Sequence, residues 1–423
     1  MLKQIIATLS KLTIIGFAAF VLAVLALLGA AFLTDNTSLL IGTALIVLCV
    51  ANFIGQYLLW NQRFTYPRIV AQGISLLVLL GLFYMAVLKP TAGKSRTDLA
   101  DVQFWDLATG SRIAYMQLTP AKPTHTEPII FLHGGPGVSD LQGDAAYFGR
   151  LREEGYVVYV YDQLGSGRSS RLQDPSGYTV ERDATDLEEI RKQIGAEKLI
   201  LIGHSYGVGL AAMYIAQHGE HVAKLIAISP GALVGGVEGG SDLQSRLSTA
   251  QKLVLYTLVL QPRPLTVYAL LQINPRAAHN FASDLEMDTR FEDVYAATEP
   301  ALHCGNKEPA QRLDGLGFYA NQFPQSAQHV QPKDITQALR HYKIPTLVIK
   351  GSCDYLTWAS AIVYLDAFQQ GPAKLVYLSG AGHNAYQDKP HEFGLNVKAF
   401  LNSQPLPNQY IDKHVPADYE KGY

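Results

Sequence analysis

A serine set between glycines, Gly203-His204-Ser205-Tyr206-Gly207, offers the first chemistry in this sequence. A serine hydroxyl is a weak nucleophile until a base takes its proton and a third group orients that base. Glycines on either side permit a sharp turn that lifts the hydroxyl clear of the backbone, provided a strand leads in and a helix leads out. Two later loops carry partners in the required order, acid and then base: Gly351-Ser352-Cys353-Asp354 and Gly380-Ala381-Gly382-His383. His383 is the one histidine of 12 that sits in a glycine-rich loop after the last apolar run. Asp354 is the expected acid, ahead of Asp366 and Asp388. An anionic tetrahedral intermediate also needs preorganised donors. The loop His133-Gly134-Gly135-Pro136-Gly137 provides them through the Gly135 amide (or that of Gly134), paired with the Tyr206 amide. His204 is expected to pack beside the turn. Together these residues predict acyl transfer through a covalent acyl-enzyme, with no metal and no organic cofactor.

The flanking sequence supplies the elements that such residues need. Short runs rich in Val, Ile and Tyr at 128–133, 157–161, 198–203, 223–229, 345–350 and 374–378 read as buried parallel strands. Residues 102–107 and 112–118 flank Thr109-Gly110 and read as a hairpin. Helical patterns occupy 182–194, 206–218, 358–369 and 391–401. This alternation predicts an α/β fold with the loops above at the ends of its strands. Between 231 and 341 no buried strand is evident. Apolar helices at 246–260 and 265–273, split by Gln261-Pro262-Arg263-Pro264, predict a helical cap. The expected plan is a membrane region (1–95), a core in two parts (96–231 and 342–403), a cap (232–341) and an extended tail (404–423).

With these motifs in hand, the sequence resembles an α/β hydrolase, and within that fold the proline iminopeptidase group of serine peptidases. The resemblance spans roughly residues 100–400. It rests on the His133–Gly137 loop, on Tyr161-Asp162-Gln163-Leu164-Gly165-Ser166-Gly167-Arg168-Ser169, and on the serine turn. It implies that Asp162, Gln163 and Arg168 support neighbouring loops, as His133, Gly137, Gly203 and Gly207 shape theirs. It also implies an acidic residue in the cap that holds a substrate's free amine. The candidates are Glu238, Asp242, Asp284, Glu286, Asp288, Glu292, Asp293 and Glu299, with Glu299 selected. Leu164, Val138 and Tyr206 depart from the group's usual Arg, Gly and Trp. The implied activity is release of N-terminal residues such as proline from short peptides. A hydrolase of lipophilic esters is the alternative, and a non-catalytic receptor or scaffold is a third.

Composition divides the chain in two. Of its 423 residues only 17% are charged, against about 25% in ordinary globular proteins. The deficit is concentrated at the start, where 12–33, 39–60 and 69–88 are uncharged stretches long enough to cross a bilayer about 30 Å thick. Lys3, Lys11, Arg63 and Arg68 flank one side of these stretches, while the loop between the first two holds only Asp35. The positive-inside rule then puts the N-terminus in the cytoplasm and the catalytic part outside, in an integral protein of the plasma (inner) membrane. Asn52 and Gln56 share a helix face and are expected to bond between helices. A net charge of -2 gives no electrostatic footprint for nucleic acid. Three cysteines make no disulfide framework. Cys304 lies in the cap and Cys353 beside Asp354, and both are expected to remain free thiols.

Overall fold

Uninterrupted apolar sequence makes the first three elements helices: α1 (Leu2–Ala31), α2 (Thr37–Leu59) and α3 (Tyr66–Phe83), the last ending in a π-turn at Tyr84–Leu88. The structure, a computed structural model, describes residues 2–60, 66–231, 233, 243–305, 313–325 and 334–419. Arg63 lies outside the described residues. Asn36 stops one helix from running into the next, its Oδ1 accepting the amides of Ser38 and Leu39 at the start of α2. Ala19, Ala23, Leu27 and Ala31 recur every fourth residue and are buried, as are Leu40, Ala44, Leu48, Asn52 and Gln56 on α2. Small residues along such a stripe let two backbones approach closely. Asn52 and Gln56 bond to each other along α2, Nε2 to Oδ1 at 3.0 Å, and among the described residues neither bonds to another helix. Three segments, Ile6–Ala31, Thr37–Leu59 and Arg68–Leu88, are long and apolar enough to cross a membrane.

β1 (Gln103–Asp106) and β2 (Arg112–Leu118) pair antiparallel. β-branched and aromatic runs then form β3 (Ile129–Leu132), β4 (Val158–Tyr161), β5 (Leu199–His204), β6 (Val222–Ile228), β7 (Thr346–Gly351) and β8 (Ala373–Leu378). These six run parallel in the order β4-β3-β5-β6-β7-β8, with Phe131 opposite Ile202, Ile202 opposite Ile226 and Ala227 opposite Val348. Parallel neighbours require crossovers. Helices α4 (Leu141–Phe148), α5 (Val180–Gln193) and α6 (Tyr206–His218) provide them in the first half. Every residue of β3, β4, β5 and β7 is buried, which is why these strands read as continuous apolar runs.

Among the described residues the insertion after β6 contains no strand. It holds α7 (Thr249–Val259), α8 (Pro262–Ile273), α9 (Pro275–Phe281), α10 (Asp284–Thr298), α11 (Phe318–Gln325) and α12 (Thr336–Leu339). Pro262 and Pro264 fall in the first turn of α8, where a missing amide costs no hydrogen bond. The chain divides into two compact units. One contains Met1–Gly93, Gln173–Ser176 and Thr257–Met287; the other contains Lys94–Leu172, Gly177–Tyr256 and Asp288–Tyr423. The expected cap is thus shared between them, with α8 and α9 in the unit of α1–α3.

After β7 come α13 (Trp358–Ala367), then β8, α14 (Ala385–Asp388) and α15 (Pro390–Leu401). Within the region expected to be an extended tail, two described residues join the sheet. β9 (Gln409–Tyr410) adds to the β8 edge antiparallel, and Tyr419 stacks edge-on against Trp358. Two paired residues leave too short a pattern to read from sequence.

Candidate active site

Parallel strands deliver their following loops to one edge of the sheet, and β5, β7 and β8 deliver Ser205, Asp354 and His383. Ser205 has φ 51° and ψ -113°, a conformation that costs a non-glycine residue about 1–3 kcal/mol. Its amide donates to Ile228 O at 2.9 Å, which fixes the turn to β6. A Cβ on Gly207 would lie 2.1 Å from the Leu132 carbonyl oxygen, so only glycine lets α6 start this close to β3.

His383 Nδ1 and Asp354 Oδ1 are 2.8 Å apart, both side chains buried. The alternative acids are committed elsewhere. Asp366 pairs with Lys413 at 2.6 Å, and Asp388 binds His303 together with the amides of Gly382 and Cys304. The β7 and β8 loops are zipped together by Ser352 N to Leu378 O and Cys353 N to Ala381 O. His204 packs beside them, its Nε2 3.1 Å from His383 O and its ring centre 4.9 Å from that of His383. Burial, and then His383, push His204 down to about 3, so it remains a neutral packed ring.

Sequence reasoning alone misses the group that stands behind the acid. Lys350, the lysine of β7, puts Nζ 2.7 Å from Asp354 Oδ2, and both side chains are fully buried. Burial alone would raise the Asp354 carboxyl; the Lys350 ammonium and then His383 hold it well below the usual carboxylate range. Arg246 donates to the carbonyls of Cys353 and Asp354 at 2.6 and 3.1 Å. A charged residue within an all-buried strand, four positions before the acid, was the available signal for Lys350.

In the His133–Gly137 loop, Gly135 has φ +113°, a region closed to most side chains, and Gly134 lies against Ser205 and the His204 ring. His133 Nδ1 donates to Gly134 O, and its Nε2 accepts the Gln163 amide at 3.0 Å. Burial pushes His133 down to about 4, consistent with that neutral tautomer. Asp162 accepts from Ser139 and from the Arg168 amide. These residues therefore tie one loop to another. Tyr206, after the serine, donates its hydroxyl to Asp183 at 2.8 Å, and burial raises Asp183 to about 7.

Cys304 and Cys353 are not free thiols; they form a disulfide, with Cα atoms 5.2 Å apart. The cap turn Glu299–Leu302 is laid against the histidine loop, His383 N donating to Leu302 O at 2.7 Å. That contact carries the next residues, His303 and Cys304, to the loop of the acid. A separation of 49 residues hid this proximity in the sequence.

Of the cap acids, Glu238 and Asp242 lie outside the described residues. Glu286 pairs with Arg263, Asp288 with Arg96 and Arg171, Asp284 with His279 and Asp293 with Lys94, while Glu292 accepts the Gly315 amide. Glu299 differs: its Oε2 is buried with no hydrogen-bond partner among the described residues. Burial raises its carboxyl to about 7, opposed by His303.

Several known proteins are similar in sequence. The chain is 29% identical over 298 residues to human 1-acylglycerol-3-phosphate O-acyltransferase ABHD5, covering 65% of this chain and 78% of that protein. It is 40% identical over 105 residues to the proline iminopeptidase of Saccharolobus solfataricus, covering 24% and 32% respectively. It is 25% identical over 325 residues to human (lyso)-N-acylphosphatidylethanolamine lipase, covering 71% and 86%. The alpha/beta hydrolase fold model matches residues 127–390, well over half of the sequence and the whole stretch from β3 to the histidine loop. The chain belongs to the alpha/beta hydrolase fold family.

Proposed function

We propose that this protein is a membrane-anchored serine hydrolase acting through an acyl-enzyme, with amine-bearing substrates such as short peptides whose N-terminal residue, proline among them, it releases. Ser205 Oγ attacks the substrate carbonyl while His383 takes its proton and later returns it to the leaving group. Asp354 fixes the imidazole tautomer and balances its charge. The amides of Gly135 and Tyr206 receive the developing oxyanion, with Gly134 as the alternative to Gly135. The observation that carries this reading is the buried His383–Asp354 hydrogen bond on the loops beside a strained Ser205.

Glu299 supports the choice of an amine. It is a buried carboxylate with an open oxygen, three residues before the carbonyl that accepts the His383 amide. An ammonium group would supply the missing partner. Binding then requires the ionised acid, so KM for such substrates falls as pH rises through about 7. The second reading, a hydrolase of lipophilic esters, is favoured by the long alignment with the lipase. We place the N-terminus in the cytoplasm of a plasma (inner) membrane and the catalytic unit outside. Besides the Lys and Arg pattern, the Cys304–Cys353 disulfide supports this, because such bonds persist in oxidising compartments.

Fluorophosphonate labelling of wild type and Ser205→Ala tests the chemistry: equal labelling of both would sink the nucleophile. Aminoacyl-naphthylamides against acyl esters test the substrate. Glu299→Gln should raise KM for the amides and leave the esters alone; the reverse pattern favours the ester reading. Protease access to right-side-out vesicles tests the topology, and a protected catalytic unit refutes the outside placement.

A further inference from the structure

Residues 402–419 lie past the stretch that matches the family, and they hold three prolines and no helix. Ile411 is 87% exposed and Val415 is exposed too, so the segment has no core of its own. Its order comes from bonds to the sheet and its helices. Asn408 exchanges two hydrogen bonds with the buried Asn396 of α15, at 2.9 and 3.1 Å. β9 then pairs with β8, and Lys413 O accepts Trp358 Nε1 at 2.8 Å. Asp418 accepts the hydroxyls of Tyr377 and Ser379, at 2.8 and 3.0 Å. These anchors lead the chain from the sheet edge back to the end of β8, beside the loop that follows β7.

Tyr419 makes the contact with that loop. A turn closed by its amide on Pro416 O at 3.0 Å presents the side chain, and its buried ring lies edge-on to Trp358. A buried phenol hydroxyl needs an acceptor. This one donates to Leu356 O and lies 3.4 Å from Asp354 O. Leu356 is the residue whose own amide donates to Asp354 Oδ1 at 3.1 Å. That same oxygen is 2.8 Å from His383 Nδ1. A single residue therefore connects the Tyr419 hydroxyl to the carboxylate oxygen that meets the imidazole. Arg246 holds the two preceding carbonyls, those of Cys353 and Asp354. The loop is thus gripped at both ends, by an arginine before α7 and by a tyrosine after the last strand.

We propose that Tyr419 is a positioning residue for the hydrolytic reaction, setting the Asp354 carboxylate toward His383 through Leu356. This rests on the reading of Ser205, His383 and Asp354 as nucleophile, base and acid. Without the hydroxyl the Leu356 peptide can turn, and its amide no longer fixes Oδ1. The carboxylate then spends less time aligned with the imidazole, so proton transfer from Ser205 slows while substrate binding is untouched. Tyr419 acts on the acid and not on the reacting atoms.

The test follows the reaction of a fluorophosphonate with Ser205 in the full chain, whose concentration dependence separates binding (KI) from the chemical step (kinact). Tyr419→Phe keeps the ring and removes the donor, and near-ultraviolet circular dichroism checks its fold. It should lower kinact about tenfold with KI unchanged. Tyr419→4-aminophenylalanine returns an N–H donor to the ring and should regain most of the rate. Asp354→Asn should itself lose about 10⁴. Adding Tyr419→Phe to it should cost under about twofold more, because both changes act on one interaction. A folded Tyr419→Phe chain that reacts at the wild-type rate, or losses that multiply in the double variant, makes Tyr419 merely structural and leaves the acid standing. So does a 4-aminophenylalanine chain held at about a tenth of the wild-type rate, whether or not Tyr419→Phe folds. If Asp354→Asn reacts as fast as wild type, the acid reading itself falls and takes the role of Tyr419 with it.

Discussion

His383 with Asp354 and His303 with Asp388 are imidazole–carboxylate couples of nearly equal length, 2.8 and 2.9 Å, and all four side chains are largely buried. They differ in what the rest of each carboxylate touches. Asp388 Oδ2 accepts two backbone amides, Cys304 at 3.0 Å and Gly382 at 2.7 Å, one from the cap turn and one from the histidine loop. It joins two stretches of main chain. Among the described residues Asp354 accepts one amide, that of Leu356 at 3.1 Å, and it turns its second oxygen to the Lys350 ammonium. It joins two ionisable side chains. Pair distance therefore does not separate the two couples; the remaining ligands of each carboxylate do.

The sharpest way to break this contrast is to neutralise each acid. Asp354→Asn should lower kcat by about 10⁴, because the amide holds the wrong imidazole tautomer. A loss of less than tenfold would put the proton chemistry elsewhere. Lys350→Met should come next. It leaves a buried carboxylate without its cation, which costs about 3–5 kcal/mol in urea unfolding. The double variant Lys350→Met/Asp354→Asn should regain most of that stability. Asp354, His204 and Tyr355 face His383, with Lys350 behind the first. In the folded variant kcat should fall while KM changes little, because the carboxylate loses the group that fixes its position behind the imidazole. An unchanged kcat would reduce Lys350 to a structural ion pair.

Asp388→Asn should be a stability variant first, losing about 1–3 kcal/mol with kcat changed little in the folded protein. Burial opposes its ionisation, but hydrogen bonds from His303 and two amides keep the Asp388 carboxyl below its usual range. Its contribution is thus present above the unfolded-state value and lost as pH falls through the folded one, so variant and wild type converge in acid. Asp183→Asn should give the smallest effect and the opposite sign. Burial holds Asp183 at about 7, so stability is lost as pH rises from the ordinary carboxylate range through that value. The variant should melt a few degrees higher than wild type at pH 8 and no higher at pH 4.

Much of this was legible in the sequence, and the limits have physical causes. Ser205, Asp354 and His383 stood out because glycines mark the turns that present them, and turn chemistry is local. The strands were readable because burial on both faces leaves unbroken apolar runs. Lys350 sat inside such a run and was absorbed into it. The cysteine pairing depends on a cap turn reaching a loop 49 residues away, which no local pattern encodes. The division of the cap follows from Arg263, Asn274 and Asn280 bonding to backbone carbonyls at Val87, Leu88, Ala31 and Asp35, contacts that composition does not reveal. Glu299 was chosen among eight acids by resemblance; what distinguishes it physically is that the other described ones are paired.

The Cys304–Cys353 bond encloses the chain between α10 and the acid in a covalent ring. A protease that cuts anywhere within that ring severs the polypeptide without releasing either piece. Such nicked protein should run as one band on a non-reducing gel and as two fragments once reduced. A sample judged intact without reductant can already be cleaved between the turn that bears Glu299 and the strand that bears Lys350, and it is worth reducing an aliquot before any kinetic comparison.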